Sequence, residues 1–360
     1  MTKMTEIMIR TFYPIGQGAF YTEKHDNNIN IVYDCGSKSN KNKVDKKIIN
    51  SFNNEVINIL FISHYDEDHI NKIHLLIQNN TVNIVILPLL HDDERQLLYN
   101  FYLSIGFNEV ASLINNPDSF FSDNTKIIYV SPDEDIKNDE DETSITLKEL
   151  ETNSITTLKS KTKILINEFW EYIPYNHLYT QRNEELINLL KANTIDVENL
   201  KSDLNYGLKN ISTIRKIYKE LSGNINENSL IVYSGPLENV TSHILLECPI
   251  FLNHWFINDK VACIFTGDTN FNIVNIKEVF KKKWKLVGTV QIPHHGSKKD
   301  FNQNFLLENS LICPISFGTE NIFGHPYIKA IELITSNDSF PKLITENTDT
   351  IYIQQIKYIA

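Results

Sequence analysis

The sequence predicts an α/β fold, and three observations carry that prediction. Short apolar runs of strand length alternate with amphipathic or polar stretches at both ends of the chain. Several of those runs end directly in Asp or His. No run reaches the roughly 18 apolar residues that a membrane span requires. The 360 residues, 41% of them hydrophobic, suffice for one large domain or for a domain carrying a substantial insertion. The opening MTKMTEIMIRTFYPIGQG has no apolar secretory core, so a cytoplasmic location is expected, with no membrane partner.

Taken in order, IMIRTFYPI and INIVYDCG read as an opening pair of strands separated by the turn at GQG and a polar stretch. The basic segment SKSNKNKVDKK (37–47) follows as a loop, then the strand VINILF, a helix-like INKIHLLIQ and the strand NIVILPL. Between 91 and 225 the composition shifts to Asn, Asp, Glu and Leu, with an acidic run at 133–143 and amphipathic segments near 180–192 and 196–221. This stretch is expected to be a largely helical insertion or cap, so that 1–90 and 226–360 form the main domain. Strand-like runs return at SLIVY, ACIFTGD, VGTVQIP, ICPISFG and TIYIQQI. The four scattered cysteines, Cys35, Cys248, Cys263 and Cys313, lack the spacing of a zinc site or a disulfide framework and read as packed thiols.

The chemistry concentrates in FISHYDEDHI (61–70), where His64, Asp66, Asp68 and His69 crowd the end of a buried strand. Residues two apart in a turning segment can converge on one volume, and converging carboxylates need a cation to offset their desolvation. Imidazole and carboxylate together hold divalent first-row metals. Downstream, Asp268 follows the strand in CIFTGDT, His294 and His295 follow QIP, and His325 sits in FGTENIFGHP. Each ends an apolar run, where the loops of one sheet edge can present ligands around a cleft.

The ordered set DCG, SHxDxDH, TGD, PHHGS and GHP resembles the metallo-β-lactamase fold superfamily, and within it the hydrolase domain of the bacterial DNA-uptake channel family ComEC. The resemblance covers about 7–90 and 226–358, including the Asn228–Ser229 pair before the TGD strand. It implies an αββα sandwich, with His64 and Asp66 as ligands of a first metal, Asp68 and His69 of a second, Asp268 bridging, and His325 completing the second site. It implies two divalent ions, manganese or zinc with magnesium admitted, and a catalytic role for Asp68 and for His294 or His295 as proton donor. Gly16, Gly18, Asp34 and Gly36 match the opening turn and strand end, where tight backbone and a buried anchor are needed. Two departures stand out: His177, His243 and His254 do not match the superfamily's intervening histidine, and Asn71 and Lys72 replace the usual Gly-Gly.

The expected function is that of a metal-dependent hydrolase, a phosphodiesterase or nuclease using hydroxide activated at a dinuclear centre, because phosphate oxygens can span two ions. A nucleic acid or nucleotide is the expected substrate, with Lys-rich SKSNKNKVDKK and GSKK near the metal edge. The net charge of −11 argues against indiscriminate capture of polyanions. The aromatic run at 169–179 reads either as packing or as a stacking platform for bases. Two alternatives belong to other classes: a hydrolase of a small lactone, thioester or lactam, and a non-enzymatic regulatory protein of a bacterial defence type that uses 91–225 as a surface for a partner protein.

Overall fold

The computed structural model describes residues 5–133, 143–177, 184–220, 229–237, 240–246 and 256–359. Its strands are β1 (Thr5–Phe12), β2 (Gly18–His25), β3 (Asn30–Ser37), β4 (Val56–Phe61), β5 (Thr81–Pro88), β6 (Lys126–Ser131), β7 (Ser144–Thr146), β8 (Thr157–Lys159) and β9 (Lys163–Leu165). They continue with β10 (Trp170–Tyr175), β11 (Ile231–Pro236), β12 (Thr241–Leu246), β13 (Phe256–Asn258), β14 (Ala262–Phe265), β15 (Val287–Val290), β16 (Ile312–Ser316), β17 (Phe340–Ile344) and β18 (Tyr352–Ile359). One sheet runs β13-β12-β18-β1-β2-β3-β4-β5-β6-β8 and the other β17-β16-β15-β14-β11-β10-β9-β7. In the first sheet β3 to β6 and β8 are parallel, and in the second so are β14 to β17, with antiparallel pairing elsewhere apart from the short β7–β9 pair. The α/β class is therefore present, built on two mixed sheets with helices.

Alternation along the strands decides which layer each side chain enters. Tyr33, Phe61 and Ile86 of the first sheet meet Trp170, Tyr172, Val232 and Phe265 of the second in one cluster. Phe265 sits at the middle of it, 5.1 Å from the Tyr33 ring and 5.9 Å from Tyr21. The neighbouring residues Val32, Leu60 and Val85 point the other way, against helical residues such as Val44, Ile73, Leu98 and Ile214. On the second sheet Tyr233, Ile264 and Ile315 likewise face Val279, Trp284 and Ile334.

Two expectations are corrected. The opening has three strands rather than a pair. The strand that sequence reading missed, β2, hides its pattern because Glu23 and His25 point into the interior beside apolar neighbours. The 91–225 stretch is largely helical among its described residues, as expected, with strands between its helices. Helices occupy Asp92–Ile105, Asn108–Asn115 and the later segments from Glu184–Ala192 to Ile211–Glu220, but β6 and β8 extend the first sheet while β7, β9 and β10 extend the second. The strands of its middle are mostly too short to show a period. The run at 169–179 supplies β10, with Trp170 and Tyr175 fully buried, so it packs the second sheet; 178 and 179 lie outside the described residues. The predicted loop at 37–47 becomes the helix Lys41–Ile49 after a short lead-in, capped by the Asn40 side chain. Cys35, Cys263 and Cys313 are buried free thiols, and Cys248 lies outside the described residues. No helix among the described residues is long and apolar enough to cross a membrane.

Between the sheets runs a buried polar chain. Arg10 Nε donates to Glu23 Oε1 at 2.5 Å, the Tyr172 hydroxyl donates to Glu23 Oε2 at 2.5 Å, and His25 lies between the hydroxyls of Tyr172 (3.0 Å) and Tyr358 (3.2 Å). Burial lowers the His25 imidazole to about 4 from 6.5. The unfolded chain then binds the extra proton first, so this contribution is fully present near pH 7 and is lost as pH falls from about 6.5 toward 4. The expected cost between pH 7 and 4.5 is about 2–3 kcal/mol from this group. Urea unfolding across that range should show a shallower acid limb for His25→Asn than for the unaltered chain, and parallel curves would contradict the assignment.

Candidate metal centre

The C-terminal ends of β3, β4, β14, β15 and β16 open toward the same place, which is why motifs up to some 290 residues apart in the chain line one pocket. That pocket is bounded by Gln17, Lys38, Asp66, Asp68, Asp268, His294, His295, Phe323 and His325. His64 and His69 stand behind it, so every ligand expected from the sequence is brought to this edge.

The anchor is Asp34, fully buried at the end of β3. The Ser63 N–H donates to its Oδ1 at 2.7 Å, the Ser63 hydroxyl to Oδ2 at 2.6 Å, and the His69 Nδ1–H to Oδ2 at 2.8 Å. An imidazole tied at Nδ1 presents Nε2 in a fixed direction, here toward Asp268 Oδ1 at 3.1 Å. Gly36 makes this possible because a Cβ there would come within 2.5 Å of the Asp68 and His69 backbone, so the helix Glu67–Ile70 can lie directly on β3. Asn71, at the end of that helix, exchanges two 2.9 Å hydrogen bonds with the Ser37 backbone, and Lys72 pairs with Asp45 at 2.8 Å. These two residues thus tie the helix down by side chains.

On the other sheet Asp268 follows Gly267, whose φ of 55° turns the chain after β14 beneath Ser229 and Ser63. The Asp268 N–H donates to Ser229 Oγ at 2.8 Å. Asp268 Oδ2 lies 3.6 Å from His64 Nε2 and 3.9 Å from His294 Nε2. Asp66 Oδ2 is 3.8 Å from His64 Nε2, and Asp66 Oδ1 accepts the Tyr102 hydroxyl at 2.5 Å. Asp68 Oδ2 lies 3.2 Å from His295 Nε2, while its Oδ1 is 2.9 Å from Lys38 Nζ.

The two adjacent histidines occupy different positions. Both have left-handed backbone, with φ of 46° and 55°, a conformation that costs about 1–2 kcal/mol per residue and that the Gly after them shares. His295 donates Nδ1–H to the Ser316 carbonyl at 2.8 Å and so aims Nε2 at Asp68. His294 donates Nδ1–H to Asp300 Oδ2 at 2.6 Å. His325 closes the pocket, its ring 5.5 Å from that of His294 and 6.1 Å from that of His295.

Burial alone would discourage every charge here, and the neighbours decide the outcome. Against burial, Lys38 and the His295 and His69 imidazoles hold Asp68 well below the usual carboxylate range, and His294 and His69 do the same for Asp268. Burial raises Asp66, with His64 and Lys38 opposing it. Against burial again, Asp268 and Asp300 lift His294 to about 9, whereas burial and the flanking His295 and His294 lower His325 to about 3. His325 is therefore a neutral imidazole with a lone pair to offer.

The residues fit a bound cation. His64, His69 and Asp268 form one trio of ligand atoms within 4.8 Å of one another, and Asp68, His69 and His295 form a second. His64 Nε2, His69 Nε2 and Asp268 Oδ1 are buried without a hydrogen-bond partner, although buried polar atoms of this kind are nearly always satisfied. Imidazole nitrogens turned toward carboxylate oxygens are the donor set of a divalent metal. Asp66 and His325 face the same pocket but fall outside both trios. His177 joins neither trio and pairs with the Tyr175 hydroxyl at 3.0 Å, and His254 lies outside the described residues.

Sequence reasoning missed Ser63, Tyr102 and Asp300. Ser63 and Asp300 had a local signal, standing one residue before His64 and six after His294. Tyr102 had none, since it reaches the site from the helix Asp92–Ile105 of the 91–225 segment. Asp34→Asn should weaken metal affinity about 10- to 100-fold by freeing the His69 ring, as outer partners of metal-binding histidines typically do. Competition against a chelator measures it, and an unchanged affinity would remove Asp34 as the orienting group. No protein-family model matches this chain and no curated protein matches its sequence, so the chemistry of the site is read from its residues.

Proposed function

We propose that the chain is a cytoplasmic metal-dependent hydrolase acting on phosphodiesters, a nuclease or nucleotide phosphodiesterase, within an αββα sandwich of the metallo-β-lactamase type and closest to the ComEC hydrolase domain. The observation that carries this reading is the pair of buried ligand trios sharing His69, set beside the His294–Asp300 dyad in one polar pocket. The layering supports the sandwich: an apolar cluster between the sheets and helices against both outer faces.

His64, His69 and Asp268 would hold one divalent ion and Asp68, His69 or His295 the other, with Asp66 and His325 the remaining candidate ligands. When bound, manganese or zinc would lower the pKa of water and polarise a phosphoryl oxygen, with magnesium as a further candidate. The protein's own work is positional. Asp34 and Ser63 orient His69, Ser316 orients His295, and Tyr102 fixes one oxygen of Asp66. His294 holds a proton at Nε2 on the pocket side, with Asp300 fixing its tautomer, and would deliver it to the departing ester oxygen. The charged lining favours a phosphate over a small carbonyl substrate, which an apolar cleft would suit better.

Two outcomes test the reading. The purified protein should carry about two divalent ions per chain, and Asp268→Ala should lose most of them, because this carboxylate stands among the imidazoles of His64, His69 and His294. Elemental analysis showing full occupancy in the variant would remove Asp268 from the centre. His294→Ala should lower turnover of a nucleotide linkage about a hundredfold or more with metal content intact, and far less for a nitrophenyl phosphodiester, whose leaving group needs little protonation. Equal losses on both substrates would assign His294 to positioning, and a metal-loaded protein inert toward phosphodiesters would sink the function.

A further inference from the structure

The loop FGTENIFGHP (317–326) brings His325 to the pocket and presents two apolar side chains at its tip, Ile322 at 91% exposure and Phe323 at 42%. A single exposed apolar residue is ordinary on a protein surface. Phe323 is distinguished by its place, because it lines the pocket and every other lining residue among those described is polar or charged. Its ring stands 5.8 Å from that of His325, tilted by 31°. The loop holds it there by hydrogen bonds. Asn321 Nδ2 donates to the carbonyls of Gly318 at 2.6 Å and His325 at 2.8 Å, and Asn321 Oδ1 accepts the N–H groups of Phe323 at 3.2 Å and His325 at 3.0 Å. At the start of the loop the Gly318 N–H donates to Gln17 Oε1 at 3.2 Å and the Thr319 N–H to Glu346 Oε2 at 3.1 Å. At its end the Tyr327 N–H donates to the Gly296 carbonyl at 2.9 Å, beside the His294–His295 turn. A ring pinned at the wall of a polar pocket is an apolar face offered to whatever enters.

A diester whose phosphate lies among these imidazoles and carboxylates must leave its remaining groups at the mouth of the pocket. A nucleobase is flat, has a π-face, and stacks on aromatic side chains whatever its identity. The aromatic run at 169–179 cannot serve it, since Trp170, Tyr172 and Tyr175 are buried. We propose that Phe323 is the stacking platform for the base next to the scissile phosphate, so that the site takes nucleotide phosphodiesters in preference to diesters without a base. This inference rests on the phosphodiesterase reading and supplies its substrate preference. Phe323 acts on how tightly the nucleotide is held and takes no part in bond breaking.

The test uses the metal-loaded full chain with two probes, adenosine monophosphate and ribose phosphate, which differ by the base alone. Phe323→Ala should lower calorimetric affinity for the nucleotide about tenfold and leave that for the sugar phosphate and the metal content as they are. Phe323→Leu, apolar but not flat, should show most of the same loss, and Phe323→Trp should restore binding. On a dinucleotide the loss in Phe323→Ala should fall on KM with kcat kept. A single-stranded oligonucleotide run beside the monophosphate separates the two sources of a base: tighter binding of the oligonucleotide assigns a strand and equal binding a free nucleotide, and the Phe323→Ala loss is expected in both. Equal losses for the nucleotide and the sugar phosphate, or full affinity in Phe323→Leu, would overturn the stacking role. So would an unaltered protein that binds the two probes equally while cleaving phosphodiesters, and the phosphodiesterase would then stand. An unaltered metal-loaded protein that binds neither probe and cleaves no phosphodiester would overturn both.

Discussion

One imidazole joins the two halves of the molecule. His69 rises from the helix after β4 in the first sheet, is held at Nδ1 by Asp34 of that sheet, and faces Asp268 of the second sheet across 3.1 Å at Nε2. Against the cost of burial, those two carboxylates push the His69 imidazole well above its ordinary range. Everything else at the edge is placed around this line. Ser63 serves Asp34 and approaches both His64 and His69, while Ser229 approaches His64 and receives the Asp268 N–H. Because the donors come from both sheets, the site exists only when the sheets are in register against each other.

That register is set by the apolar layer between the sheets, where Phe265 lies just before the TGD turn and packs on Tyr21 and Tyr33. Asp34 follows Tyr33 directly, and Asp268 comes three residues after Phe265. A ring contact in the core is thus converted, within a few residues on each strand, into a spacing between two carboxylates. Close packing makes such positioning stiff, since interiors have few voids into which a side chain could relax. The left-handed backbone at His294 and His295 adds local strain at the same edge, where the Asp300 and Ser316 hydrogen bonds hold it.

The 91–225 segment is part of this construction rather than an appendage. Its strands extend both sheets, and its helix Asp92–Ile105 brings the Tyr102 hydroxyl onto Asp66. Asn100 binds the helix Asp92–Ile105 to the carbonyls of Leu200 and Lys201, so hydrogen bonds join the two helical ends of the segment.

Local sequence alone determined the α/β class, the position of half of the described strands and the charged ends of β4, β14, β15 and β16, because buried strands need apolar runs and ligands need Asp or His in the loops that follow. It did not reveal β2, since the Arg10–Glu23 pair puts charge where a core pattern expects apolar residues, nor the strands β6 to β10, nor β12, β13 and β17. Only the tertiary structure decided which histidine of the HHG pair faces Asp68 and which faces Asp300, for adjacent residues have the same local signal and opposite surroundings. It alone decided that Tyr102 belongs to the site as well, through its hydrogen bond to Asp66. A tyrosine on an amphipathic helix looks like packing, and what its hydroxyl meets is a matter of contacts between residues far apart in the chain.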